Sequence, residues 1–239
     1  MQNTLNQIAS HINSLAKRRE ALANLLKKLD SLKLFPSLAK QIKSVNLNLK
    51  ICGVDGGFLK KESNGNGIIL RRAVAVNFTY EKGKLINTQY YPSRKPRPEP
   101  VIIGPEFPAS EFNCIASLKR VEMELNTLLK AAKEFGPDML VADGSIVLYP
   151  TNLPSKNSKA HLIYQDIIRK YKELYEYCIK NKILLVGAVE DSQGKKYCKE
   201  LKNKFQQKAI PRDIKAELNK LERVLDSTTD TLFLYYFLN

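Results

Sequence analysis

Two stretches decide how this chain is read: "ICGVDGGF", residues 51–58, and "MLVADGSIVLY", residues 139–149. In the first, an apolar run (Ile51, Cys52, Val54) delivers Asp55 to Gly56-Gly57. In the second, a longer apolar run delivers Asp143 to Gly144. Each reads as a buried strand that carries one carboxylate off its end into a glycine turn. One Asp-Gly is an ordinary turn signal. Two, each closing an apolar strand, point to a site built from both.

The 239 residues suffice for one substantial core, with or without an appendage. A 44% hydrophobic and 26% charged composition is that of a folded chain. No apolar run approaches 18 residues, and "MQNTLNQIAS" lacks the basic and apolar regions of a signal peptide, so a soluble, cytoplasmic protein with no membrane contact is expected. Thirty-nine Lys and Arg against 24 Asp and Glu give a net charge of +15. Such an excess favours a polyanionic partner, although a lysine-rich solvated surface gives the same count. Cys52, Cys114, Cys178 and Cys198 form no Cys-x-x-Cys pair and read as free thiols. With only His11 and His161 there is little material for a histidine metal site or a Ser/His/Asp triad, and His161 is placed to open a helix.

Outward from the two stretches, the periodicities order the chain. Residues 5–33 carry Ile8, Ile12, Leu15, Leu22, Leu26 and Leu29 at helical spacing, ended by Phe35-Pro36. This helix is expected to pack on the body or on another copy. Strands follow at 49–55, 67–80 and 85–91. Residues 92–108 hold six prolines and read as irregular, with Arg94, Lys95 and Arg97 making the loop basic. A helix over 111–134 stops at Gly136-Pro137. A fourth strand, a helix over 160–181, and a fifth strand in "ILLVGAVED" come next. Residues 195–223 read as helical with a break at Pro211, and carry ten Lys or Arg against four Asp or Glu. The order β-β-β-α-β-α-β-α predicts a mixed five-stranded α/β sheet with helices on both faces, behind a long N-terminal helix. The division is 1–44 for the helical appendage and 45–239 for the sheet domain.

Asp55 and Asp143 fall at the C-terminal ends of strands, where sites on such sheets are built. Two neighbouring carboxylates repel unless a cation offsets them, and hard divalent ions such as Mn²⁺ or Mg²⁺ suit their oxygens. The helix at 111–134 supplies a third acid. Measured from Leu125, Glu122 falls at about +60°, inside the apolar stripe, and Glu124 at about −100°, on its border. The wheel therefore favours Glu122, with pairing of both to Lys119 or Arg120 as the plain alternative. Carboxylates holding paired divalent ions on a basic protein describe phosphodiester hydrolysis.

"GVDGGF", "SLKRVEMELNTLL", "MLVADGSIV" and "LLVGAVEDSQGKKYCKEL", in this order and spacing, resemble the NurA family of nucleases over roughly residues 45–235. The resemblance implies an RNase H-like core and Mn²⁺-dependent cleavage of single- and double-stranded DNA, 5′→3′, in DNA end resection and double-strand-break repair. It also implies a homodimer docked on the hexameric HerA translocase. Asp55 and Asp143 then become metal ligands, and Glu124, four positions after Arg120, becomes the helix ligand. That differs from the wheel, and both glutamates stay candidates. Where the family's first motif reads Asp-Gly-Ser, this chain has Gly57. The family also completes its site with a C-terminal Tyr and His, and no histidine follows His161 in this sequence. The alternative expectation is a catalytically impaired DNA-binding paralogue acting through a partner.

Overall fold

The computed structural model describes residues 2–31, 48–63, 66–107, 109–147, 154–189, 192–207 and 212–238. Phe35, Pro36 and Pro211 lie outside the described residues. The chain forms two compact units. Residues 44–189 make a sheet unit, and residues 1–43 with 190–239 make a helical one.

In the sheet unit, β1 (Leu49–Ser63) and β2 (Asn66–Glu81) form a long antiparallel hairpin paired along its whole length. β3 (Lys84–Tyr91) pairs with one half of β2, over Ala75 to Glu81. β4 (Glu99–Ile103) pairs with the other half, over Gly67 to Arg71. The proline-rich segment thus contributes a sixth strand that its composition concealed. Its Pro100 lies on an edge strand, where a missing N–H is tolerated. Helix α2 (Phe112–Phe135) leads to β5 (Met139–Asp143), and α3 (Ala160–Asn181) leads to β6 (Leu184–Ala188). β5 runs parallel to β1, and β6 parallel to β5. The resulting path, β3-β2-β1-β5-β6, is the RNase H-like order.

Both crossovers step in the same direction along the sheet. Right-handed connections therefore place α2 and α3 on one face. Their leucines share a core with Cys52, Val54, Ala73, Ala75, Leu140 and Ala142, residues that alternate onto that face. Helix α2 ends at Gly136, whose φ of 55° is the left-handed cap that glycine adopts freely. Asp138 then fixes the parallel register. Its carboxylate accepts the Lys50 N–H at 2.7 Å, and its own N–H donates to the Lys50 carbonyl at 3.0 Å.

The helical unit comprises α1 (Gln2–Ser31), α4 (Lys196–Gln207), α5 (Arg212–Asp226) and α6 (Asp230–Leu238). Leu22, Ala23, Leu25 and Leu26 of α1 are buried with Leu201, Leu218, Leu225, Phe233 and Phe237. Arg19 donates to Thr228 Oγ1, and Asp230 caps α4 through the N–H groups of Tyr197 and Cys198. The apolar stripe of α1 therefore divides. Its C-terminal half is covered by α5 and α6, while Leu5, Ile8 and Ile12 remain exposed. The side chain of Leu29 lies outside the described residues.

Candidate active site

Strand β1 does not end at Asp55. It runs through Gly56 and Gly57 to Ser63, paired with β2 throughout, so the glycine turn expected there is absent. The pair of glycines has another cause. A Cβ on Gly56 would lie 2.5 Å from Glu124 Oε1 and 2.6 Å from Glu124 Cγ. Helix α2 lays this glutamate directly onto the strand, and only a residue without a side chain leaves room.

The second stretch behaves as expected. β5 stops at Asp143, and Gly144 takes φ 76° while donating its N–H to the Ala188 carbonyl at 2.7 Å. The turn crosses β6 where that strand has Gly187, whose Cβ would fall 2.5 Å from the Gly144 oxygen. Tyr171 and Tyr175 of α3 donate their hydroxyls to the carbonyls of Ser145 and Ile146 and hold the outgoing loop. The last register pair between β1 and β5 is Gly53 with Val141. Asp55 and Asp143 each lie two residues beyond it, so the parallel register carries the two aspartates to corresponding positions.

The two helix glutamates have opposite surroundings. Glu122 bonds to Arg71 at 2.7 Å and to Lys119 at 3.1 Å. Burial raises its pKa, but these two cations outweigh that and hold it below the usual carboxylate range. Glu124 is 5% exposed. Burial pushes its pKa up to about 7, with Asp143 and Asp55 adding to the rise against Arg120. Arg120 stands 3.4 Å from Glu124 Oε1 and 3.2 Å from Asp143 Oδ2. Oε1 thus has an ion-pair partner but accepts no hydrogen bond. The helical wheel had placed Glu122 inward. It took the leucine stripe as the whole buried arc, whereas α2 is covered by the sheet and by α3, and residues such as Glu124, Thr127 and Ala131 lie in the widened part.

Glu124, Arg120 and Asp143 thus form one network, with Asp55 within electrostatic reach of Glu124. Asp55 is exposed, and strand alternation turns it to the face opposite Cys52, Val54 and Gly56. Among the described residues, no three His, Cys, Asp or Glu side chains are gathered closely enough to hold an ion. The donor chemistry nonetheless fits a hard divalent cation. Glu124 and Asp143 share one guanidinium, Glu124 has an oxygen without a hydrogen bond, and Asp55 lies within electrostatic reach of Glu124. The signals missed in the sequence were Arg120 as the bridging cation, Gly56 as a contact position and Gly187 as the seat of the turn. Glycines inside apolar strands were the available hint. His161 is the second residue of α3, pairing with Gln165, and the four cysteines form no disulfide.

Two measurements check this geometry. Gly56→Ala should cost roughly 1–3 kcal/mol of stability through overpacking. In a Glu124→Ala background the same change should be close to neutral, as a double-mutant cycle by urea denaturation would show. The second concerns titration. The folded-state pKa of Glu124, about 7, lies above its ordinary 4.5. Stability from this group is therefore full below pH 4.5 and is lost as pH rises through 7, on the order of 3 kcal/mol in all. Glu124→Gln should flatten that slope and melt several degrees above the wild type at pH 8. Glu122→Gln should instead destabilise and leave the slope in place.

Among curated proteins, none matches the chain. A NurA nuclease structure from Sulfolobus solfataricus is 16% identical, with a TM-score of 0.40 over 95% of this chain and 56% of that one. A NurA structure bound to dAMP and manganese is also 16% identical, with a TM-score of 0.38 over 90% of this chain and 50% of that one. RuvC from Thermus thermophilus bound to a Holliday junction is 12% identical, with a TM-score of 0.24 over 78% of this chain and 94% of that one. The chain spans about half the length of the two NurA proteins. The family model of the NurA domain matches residues 49–238, from the first residue of β1 to the last of α6, and the chain belongs to the NurA family.

Proposed function

We propose that this chain is a divalent-metal-dependent deoxyribonuclease in which Asp55, Glu124 and Asp143 are the ligands and Glu122 is structural. The observation that carries this reading is Oε1 of Glu124, buried against Gly56 and in the electrostatic field of both aspartates. Arg120 offsets its charge from 3.4 Å but makes no hydrogen bond to it, so its lone pairs are left for a ligand. Mn²⁺ or Mg²⁺, when bound, supplies a polarised water and charge stabilisation at the leaving oxygen. The chain's own residues do the rest. Glu124 must lose its proton before it can serve as a ligand, and Arg120 balances Glu124 and Asp143 in the meantime. Tyr171 and Tyr175 restrain the loop that follows Asp143.

The finer reading follows the family. The substrate is DNA, as single strands and double-stranded ends, cut 5′→3′ or internally in single strands, in end processing and double-strand-break repair. The partner is a HerA-type hexameric translocase, and the setting is the cytoplasm. Among the described residues no helix is long and apolar enough to cross a membrane. A homodimer is part of the proposal, supported by Leu5, Ile8 and Ile12 of α1, which are 52% to 59% exposed. Serine at all three should leave the helical unit folded and halve the mass measured by light scattering. An unchanged mass removes α1 from the interface.

The second reading is a DNA-binding paralogue without catalysis, favoured by the absence of a gathered three-residue metal cluster among the described residues. Cleavage of labelled single-stranded DNA decides between them. Wild type should cut with Mn²⁺ and not with EDTA, and Asp143→Asn should fall to background. Because burial favours the protonated form of Glu124 in the metal-free chain and the proton competes with the ion, half-maximal cleavage should need less Mn²⁺ at pH 8 than at pH 6. If wild type cuts no faster than Asp143→Asn at saturating Mn²⁺, the enzyme reading fails and the paralogue stands.

A further inference from the structure

On the face of β1 that carries Asp55 lies an open cleft of about 550 Å³, lined by Asp55, Gly57, Arg72, Arg94 and Lys95 among others. Its construction follows from the register. Asp55 pairs with Val74, so Arg72 is the diagonal neighbour of Asp55 on the same face, directly across from Gly57. A Cβ on Gly57 would meet nothing within 4 Å, and the floor between the acid and the arginine is therefore open. The opposite wall is the loop after β3, stiffened by Pro92, Pro96 and Pro98. There Arg94 is held over the Tyr90 ring at 6.0 Å.

The three cations differ from those around the buried acids. Arg71 and Lys119 are committed to Glu122, and Arg120 to Glu124 and Asp143. Among the described residues, Arg72, Arg94 and Lys95 form no ion pair, and all three are exposed. Three uncommitted cations from two chain segments converge beside one carboxylate, which leaves an excess positive field at the candidate site. An apolar strip adjoins the cleft and shares Gly57 and Arg72 with it, formed by Leu59, Leu70 and Pro98. Leu59 and Leu70 are cross-strand partners exposed at 74% and 41%.

We infer that this cleft seats a backbone phosphate of single-stranded nucleic acid, held by Arg72, Arg94 and Lys95, with the adjoining base on the Leu59–Leu70 strip. A phosphate satisfies the arginine forks as no neutral ligand does. A flat apolar strip accepts the face of a base only when that base is unpaired. The three basic residues are positioning residues, setting which phosphodiester lies at Asp55. The inference rests on the nucleic-acid reading above and extends it to the strand's path.

Binding is the test, and it can be read without cleavage. The full chain in EDTA would be titrated against a fluorescein-labelled twelve-nucleotide dT strand, followed by anisotropy across a salt series. The Arg72→Gln/Arg94→Gln pair should weaken binding by roughly tenfold or more and flatten the log–log salt slope by about 1.4, the value for two released counterions on a single strand. A control pair of equal charge loss on α2 and α3, Lys130→Gln/Lys180→Gln, should change affinity less than twofold. Gly57→Phe should weaken binding as the arginine pair does, since it fills the cleft and removes no charge. Equal losses in the two charge pairs, or undiminished binding by Gly57→Phe, would overturn the inference. Cleavage separates the two proposals. If Asp143→Asn abolishes cutting while the cleft variants bind normally, the nuclease stands and the phosphate seat falls; the reverse pattern keeps the seat and removes the nuclease.

Discussion

The contact between Glu124 and Gly56 is the constraint on which the rest of this site depends. Helix α2 packs on the sheet through leucines and alanines, and such a helix can slide along a flat apolar face at modest cost. One long polar side chain pressed against a backbone with no Cβ removes that freedom. It fixes both the height of α2 over β1 and its rotation. Arg120 lies one turn before Glu124 on the same helix, so the rotation that seats the glutamate also brings the guanidinium to Asp143 at the end of β5. Glu122, two residues from Glu124, is turned toward Arg71 on β2 by that same rotation. A carboxylate buried this deeply is tolerated because it can hold a proton near neutral pH.

The basic residues then fall into three sets with different work. Arg71 and Lys119 neutralise Glu122 and tie α2 to the hairpin. Arg120 stands between two acids and keeps their repulsion from opening the strand end. Arg72, Arg94 and Lys95 face outward over the opposite surface. Adjacent arginines on one strand are divided by the pleat: Arg71 points toward the helix and Arg72 toward the cleft. Total charge could not distinguish these roles. The net charge of +15 includes cations already matched by buried acids and others that have no acid to match.

Much of the fold was legible because it rests on local signals. The period of α2 and α3, the Gly136 stop and the apolar runs of β5 and β6 are each written into a few consecutive residues. β4 was hidden because its pairing with β2 lies across a long gap in sequence and its composition is that of a loop. The reading of Asp55 failed for a related reason. Asp-Gly-Gly has the local chemistry of a turn, but fifteen-residue pairing with β2 overrides it, and the partner strand is visible only in three dimensions. Asp143-Gly144 has the same chemistry and does turn, because β6 offers Gly187 to cross and a carbonyl to bond. That Glu124 is buried and Glu122 is not was likewise hidden, because the contact of Glu124 with Gly56 of β1 cannot be read from one helix.

The two consecutive glycines of β1 now have distinct reasons to be there. Successive residues of a strand face opposite sides, so Gly56 and Gly57 serve different neighbours. On the helix side, a side chain at 56 would strike Glu124 and displace the buried acid. On the open side, a Cβ at 57 would meet no described atom within 4 Å, so close packing gives no reason for its absence. What the missing side chain preserves there is the empty space between Asp55 and Arg72. A strand interior gains from β-branched or aromatic residues and loses from glycine. Two glycines in succession therefore cost the hairpin stability on both faces. At Gly56 the internal contact with Glu124 offsets that loss, while at Gly57 no contact among the described residues does. An external ligand lying against the strand at Asp55 would account for the second glycine as Glu124 accounts for the first.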